Sequence, residues 1–158
     1  LYGPVARDSR DEIPPGKGPW YELPVFNHFK GRLAINFLRT HIDMSQRHPD
    51  ALRMSDQMVE ALDLLYDLAN DPAFQLTMEF EPGDMQLLHN HQILHDRTAY
   101  KDWDDQNRKR YLLRLWLSPP DGIELPMAFA GRYNSVVLGD RGGVTIPGMQ
   151  TSVPLKPI

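Results

Sequence analysis

At 158 residues, with 41% hydrophobic and 24% charged residues, the chain has the size and composition of one globular domain. A net charge of −4 provides no basic field, so no nucleic-acid partner is expected. No apolar run approaches the ~20 residues of a membrane-spanning helix, so no membrane partner is expected either. The absence of cysteine excludes disulfides, thiolate metal ligands and cysteine nucleophiles, and is compatible with a cytoplasmic location.

Leu1 to Pro24 reads as an extended loop, punctuated by Pro4, the Pro14-Pro15 pair, Gly16, Gly18 and Pro19. That is a poor opening for a domain. The expectation is therefore a single unit over residues 1–158 that is the C-terminal portion of a longer domain. Gly31 to Leu38 alternates like a strand, with Leu33, Ile35 and Phe37 on one side. Ser55 or Asp56 can cap a helix over about Gln57 to Ala69, where Met58, Leu62, Leu65 and Ala69 recur at helical spacing. Asn70-Asp71-Pro72 ends it. Phe74 to Phe80 alternates as a half-buried strand, and Glu81-Pro82-Gly83-Asp84 has proline and glycine where a type II turn needs them.

Met85 to Leu88 and Ile93-Leu94 read as short strands around three histidines. Lys101 to Lys109 is a charged loop, and Arg110 to Leu117 is the clearest strand pattern in the chain. The tail after Pro119-Pro120 is turn-rich, sharpest at Gly139-Asp140-Arg141-Gly142-Gly143. One or two helices among many short strands predict a mostly-β fold of barrel or sandwich type.

Three groups of residues carry chemistry. On a strand, Arg110, Leu112, Arg114 and Trp116 share one face, while Tyr111, Leu113, Leu115 and Leu117 share the other. Large apolar residues on both faces predict burial, and two buried arginines need an anion, either a ligand carboxylate or phosphate or an internal Asp or Glu. If the histidine stretch stays extended, His89, His91 and His95 fall on one face, and neutral imidazole is the commonest metal ligand. Single loop histidines held by hydrogen bonds are the plainer alternative. His41-Ile42-Asp43 is an H-x-D pair, and two histidines plus one carboxylate form the ligand set of many non-haem iron oxygenases. It stands past the end of a strand, in a polar and helix-like context.

The run from Pro82-Gly83-Asp84 through His95-Asp96-Arg97 to Arg110-Tyr111-Leu112-Leu113-Arg114-Leu115-Trp116-Leu117 resembles the C-terminal half of the TauD/TfdA-type dioxygenases. The likeness extends more loosely through Tyr21 to Phe26, the Ser55 to Pro72 helix and Gly139 to Gly143. It implies a double-stranded β-helix (a jelly-roll, cupin-like barrel) and an enzyme using Fe(II), with 2-oxoglutarate as cosubstrate. In such enzymes, oxidative hydroxylation of a small organic substrate is coupled to decarboxylation of 2-oxoglutarate to succinate. The resemblance places the distal iron histidine on His95, the 2-oxoglutarate arginine on Arg114 and its companion on Arg110. Asn90 matches the family's strand asparagine, whereas His89 and His91 fall at variable positions. The family's proximal H-x-D pair precedes the distal histidine by well over a hundred residues. His41 and Asp43 are therefore expected to be surface residues that only look like that pair.

Two other readings stay open. One is a cupin-like metal-binding module using His89, His91 and His95. The other is a non-catalytic half-barrel, forming a homo-oligomer or completed by a missing N-terminal half.

Overall fold

The computed structural model of the chain describes residues 1–13, 16–133 and 135–141. The Pro14-Pro15 pair and the Gly142-Gly143 end of the expected sharp turn lie outside them. Two small antiparallel sheets open the chain. Strand β1 (Ala6–Asp8) pairs with β2 (Trp20–Glu22), Ala6 opposite Glu22 and Asp8 opposite Trp20. Strand β3 (Phe26–Phe29) pairs with β4 (Arg32–Ile35) as a hairpin. Lys30 and Gly31 both have positive φ, 49° and 75°, as a two-residue type I′ turn requires. Gly31 supplies that conformation without strain.

Helix α1 spans Arg39–Ser45, and α2 spans Asp56–Asn70. The Ser55 side chain accepts from the backbone N–H of Met58, occupying one of the donors a helix start leaves unpaired. The apolar spacing read from the sequence faces inward: Leu62 is fully buried, and Met58 and Leu65 pack beside it against Val5, Val25 and Ile42. A second core gathers Leu23, Ala34, Ile123, Leu125, Phe129 and Tyr133, with Tyr21 and Val136 packed against it. The chain thus has a β-rich N-terminal part, two helices, and a returning segment that fills the second core.

Several expected strands are not strands here. Phe74 to Phe80, Met85 to Leu88, Ile93-Leu94 and Arg110 to Leu117 run without a ladder partner among the described residues. A ladder is a property of two chains of backbone donors and acceptors, and alternation in one of them says only which face a partner sheet would cover. The side chains are correspondingly open: Leu76 is 85% exposed and Leu115 75%. The burial expected on both faces of Arg110 to Leu117 is not found. No closed barrel forms among the described residues. The type II turn at Glu81 to Asp84 is present, with Gly83 at φ 100° and the Asp84 N–H donating to the Glu81 carbonyl at 3.0 Å.

Replacing Ser55 by alanine should lower stability by about 1 kcal/mol, whereas glycine should cost less, because the cap is a single side-chain hydrogen bond. Urea denaturation of the two variants beside the parent chain measures both.

Candidate functional site

The polar chemistry of the chain falls into two groups, one buried and one exposed. The buried group is centred on β1. Arg7 is fully buried and donates through Nε and Nη2 to the Leu23 carbonyl, both at 3.2 Å, and through Nη2 to the Pro24 carbonyl at 3.4 Å and the Asn36 carbonyl at 2.8 Å. Burial lowers its pKa to about 10, partly offset by the Tyr21 and Tyr133 hydroxyls, so it stays charged at neutral pH. Asp8, the next residue, points the other way, as strand alternation dictates. Its carboxylate accepts from Arg47 Nε at 2.6 Å, from His48 Nε2 at 2.8 Å and from the Arg10 backbone N–H at 2.6 Å. Burial opposes its ionisation, but the Arg10, His48 and Arg47 donors prevail and hold it below the usual carboxylate range.

His41 and Asp43 are accounted for by this same framework. They sit on α1 two positions apart, and residues at that spacing do not face each other. His41 donates through Nδ1 to the Asp8 carbonyl at 2.9 Å, and Asp43 pairs with Arg39 at 2.9 Å. Burial pushes the His41 imidazole down. His41 thus links α1 to β1, and Asp43 is held within α1.

The three histidines of the next stretch diverge, because a turn forms where an extended run was expected. The Gln92 and Ile93 N–H groups both donate to the His89 carbonyl. His91 is buried, its ring edge-on to Phe129 at 5.4 Å and to Tyr133 at 6.2 Å. Burial, with the Arg141 and His89 charges adding to it, pushes its pKa down to about 4. His89 and His95 are exposed. Among the described residues no three His, Cys, Asp or Glu side chains come together as a metal site. The three-histidine reading therefore lacks the geometry it needs.

His95 belongs to no such three-donor group, and its Nε2 lies 3.1 Å from Asn90 Oδ1. An amide oxygen only accepts, so Nε2 carries the hydrogen of this bond. Asn90 is thus the partner that fixes the tautomer of His95, a role its sequence position did not reveal. Arg110 is exposed, its guanidinium 4.5 Å above the Tyr100 ring and its backbone N–H donating to Asp102 Oδ1 at 2.9 Å. Arg114 is exposed as well. The two arginines share a stretch of chain but not a closed pocket. A cavity of about 150 Å³, lined by Ser9, Lys17, Trp20, Tyr21 and Arg132 among others, involves neither of them.

The family model described as "Taurine catabolism dioxygenase TauD, TfdA family" matches residues 2–116. The chain belongs to this family. Its members are in general Fe(II)- and 2-oxoglutarate-dependent dioxygenases. FR-33289 synthase of Streptomyces rubellomurinus (strain ATCC 31215) is 35% identical over 134 residues, covering 82% of this chain and 39% of that protein. The chain therefore spans about two fifths of the length of this relative. No group of three His, Cys, Asp or Glu donors forms among the described residues, so on their own they do not fit a complete iron site. No helix among them is long and apolar enough to cross a membrane.

Two buried groups give opposite-face tests by pH. His91 has a folded pKa below its unfolded value of about 6.5. Its neutral form therefore stabilises the fold fully above that pH, and the contribution is lost as pH falls toward about 4. The loss should be on the order of 3 kcal/mol, and His91→Leu should flatten the stability profile across that window. Asp8, held low, stabilises above about 3.9 and loses its contribution only below that. Asp8→Asn should remove the acid limb while leaving the His91 window intact. Thermal denaturation between pH 7 and pH 3 separates the two.

Proposed function

We propose that this chain is the part of an Fe(II)/2-oxoglutarate-dependent dioxygenase that carries the distal iron histidine and the cosubstrate arginines. The match over residues 2–116 carries the reading, because it includes His95, Arg110 and Arg114. His95 is the imidazole donor, kept in one tautomer by Asn90. Arg114 takes the far carboxylate of 2-oxoglutarate through its planar fork, and Arg110, steadied over Tyr100, is its companion. The remaining iron donors come from outside the described residues. When bound, iron with 2-oxoglutarate supplies the oxidising power, and the protein supplies ligand geometry and cosubstrate orientation.

The apolar alternation of Phe74 to Phe80 and Arg110 to Leu117 fits strands of a jelly-roll barrel whose ladder partners are not among these residues. In that fold both faces of Arg110 to Leu117 would be covered, and the two arginines would share a wall of the pocket. The reaction class is oxidative hydroxylation of a small organic substrate in a cytoplasmic enzyme. Residues 1–158 would act as one unit of the dioxygenase domain.

Titration with 2-oxoglutarate by calorimetry tests the assignment. Arg114→Ala should weaken binding at least about tenfold, and Arg114→Lys should recover only part of it, since lysine keeps the charge but loses the fork. Unchanged affinity in a folded Arg114→Ala protein would refute the role. His95→Ala should leave the chain folded and lower Fe(II) affinity by about tenfold or more.

A further inference from the structure

The cavity of about 150 Å³ beside the first sheet has had no task so far. Ser9 just past β1, Lys17 ahead of β2, and Trp20 and Tyr21 on β2 form one side. Gly131 and Arg132, at the end of the 3₁₀ turn Met127–Gly131, form the other. Sites for drug-sized ligands run to roughly 300–1,000 Å³, so this one takes only a small molecule. Gly131 brings no side chain, and a Cβ added there meets no atom within 4 Å, so open space continues along that wall.

The lining is cationic and aromatic. Arg132 is the better fixed of the two cations: its side chain is 14% exposed, and its Cζ lies 5.3 Å from the Tyr21 ring centroid, within reach of a cation–π contact. Its hold on Glu12 is slack. Nη2 lies 3.4 Å from Glu12 Oε2, and Nη1 donates to the Glu12 carbonyl at 3.5 Å, against about 2.7–2.9 Å for a well-formed guanidinium–carboxylate bond. The Glu12 side chain is 58% exposed, so water competes for its carboxylate. Lys17 has no hydrogen bond or ion pair among the described residues. A guanidinium bonded this loosely gains by exchanging Glu12 for a carboxylate that can meet its fork squarely. Trp20 and Tyr21 offer flat apolar surface to whatever that carboxylate is attached to.

We propose that this cavity is an accessory binding site for a small aromatic carboxylate, gripped by Arg132 and Lys17 with its ring against Trp20 and Tyr21. The occupant is separate from the substrate and cosubstrate of the reaction proposed above, because no lining residue lies between His89 and Leu117. Glu12 is the resident competitor, and it gives up its long bonds to Arg132 when the ligand enters.

Benzoate is the probe and benzyl alcohol its uncharged counterpart, followed through the Trp20 indole N–H and Arg132 Nε–Hε signals by nuclear magnetic resonance. Benzoate should shift both signals saturably, and benzyl alcohol should bind at least about tenfold more weakly. Arg132→Gln should weaken benzoate binding by about tenfold or more, and Lys17→Gln, at an exposed position, by about threefold. Glu12→Gln should tighten it several-fold, a gain that a merely structural disturbance does not produce. Signals that stay still in benzoate overturn the proposal, as does equal binding of benzyl alcohol. If Arg132→Gln fails to fold, the two surface variants decide: a loss in Lys17→Gln with a gain in Glu12→Gln supports the site, and no change in either overturns it. Arg114→Ala should bind benzoate as the parent chain does while losing 2-oxoglutarate. Benzoate affinity lost in Arg114→Ala would place the probe at the cosubstrate arginine and overturn the accessory site, whereas 2-oxoglutarate that never binds removes the dioxygenase reading and leaves this site standing.

Discussion

Two adjacent buried charges on one short strand hold this structure together. Arg7 and Asp8 sit side by side on β1, and both are fully removed from solvent. Desolvating either charge alone would cost several kcal/mol, so each must be met by donors or acceptors in fixed positions. Alternation sends them to opposite faces. Arg7 gathers the carbonyls of Leu23, Pro24 and Asn36, tying β1 to the chain on either side of the β3–β4 hairpin. Asp8 gathers Arg47 and His48 just past α1, and its own carbonyl accepts from His41 on that helix. Hydrophobic burial in the two cores supplies the bulk energy that the ionic framework directs.

The exposed stretch relates to that framework through one main anchor. The Ile35 N–H donates to the His91 carbonyl at 2.7 Å, extending the edge of β4 by one bond, and the His91 ring closes the second core against Phe129 and Tyr133. Neutral imidazole suits this place because it is flat and apolar on its faces, and burial keeps it uncharged. The residues most useful to chemistry, His95, Arg110 and Arg114, lie beyond the anchor, where few apolar contacts hold the backbone. Segments of this kind open at low free-energy cost until further elements pack on them.

The parts of the fold set by local physics were legible in the sequence. The α2 cap at Ser55, its inward face at Met58, Leu62 and Leu65, and the turn at Pro82-Gly83 all depend on residues within a few positions of each other. Pairing was not legible, because a strand such as Arg110 to Leu117 is defined by a neighbour that its own residues cannot name. The short strand β1 lay hidden in a stretch that read as loop, since its stability comes from Arg7 and Asp8 partners up to 40 positions away. The family match includes His95, Arg110 and Arg114, the three site residues named from the family resemblance, and their roles rest on that resemblance. Asn90 stood out in the sequence as the family's strand asparagine, but its contact with His95, like that of Tyr100 with Arg110, emerged only from the structure.

His41-Ile42-Asp43 and His89-Asn90-His91 show why ligand types at short spacing mislead. A metal needs lone pairs that converge, and convergence depends on backbone conformation before it depends on residue type. On α1, positions two apart diverge, and at the His89–Ile93 turn the extended geometry that would align alternate rings is lost. In both places the fold spends its histidines on other work: His41 on a carbonyl of β1 and His91 on the second core. His95 escapes both uses. It is exposed, and its one hydrogen bond given among the described residues is to the neutral amide of Asn90. An imidazole with that freedom can be recruited by an arriving metal without dismantling any part of the fold, whereas using His41 or His91 would first require breaking β1 or opening the core.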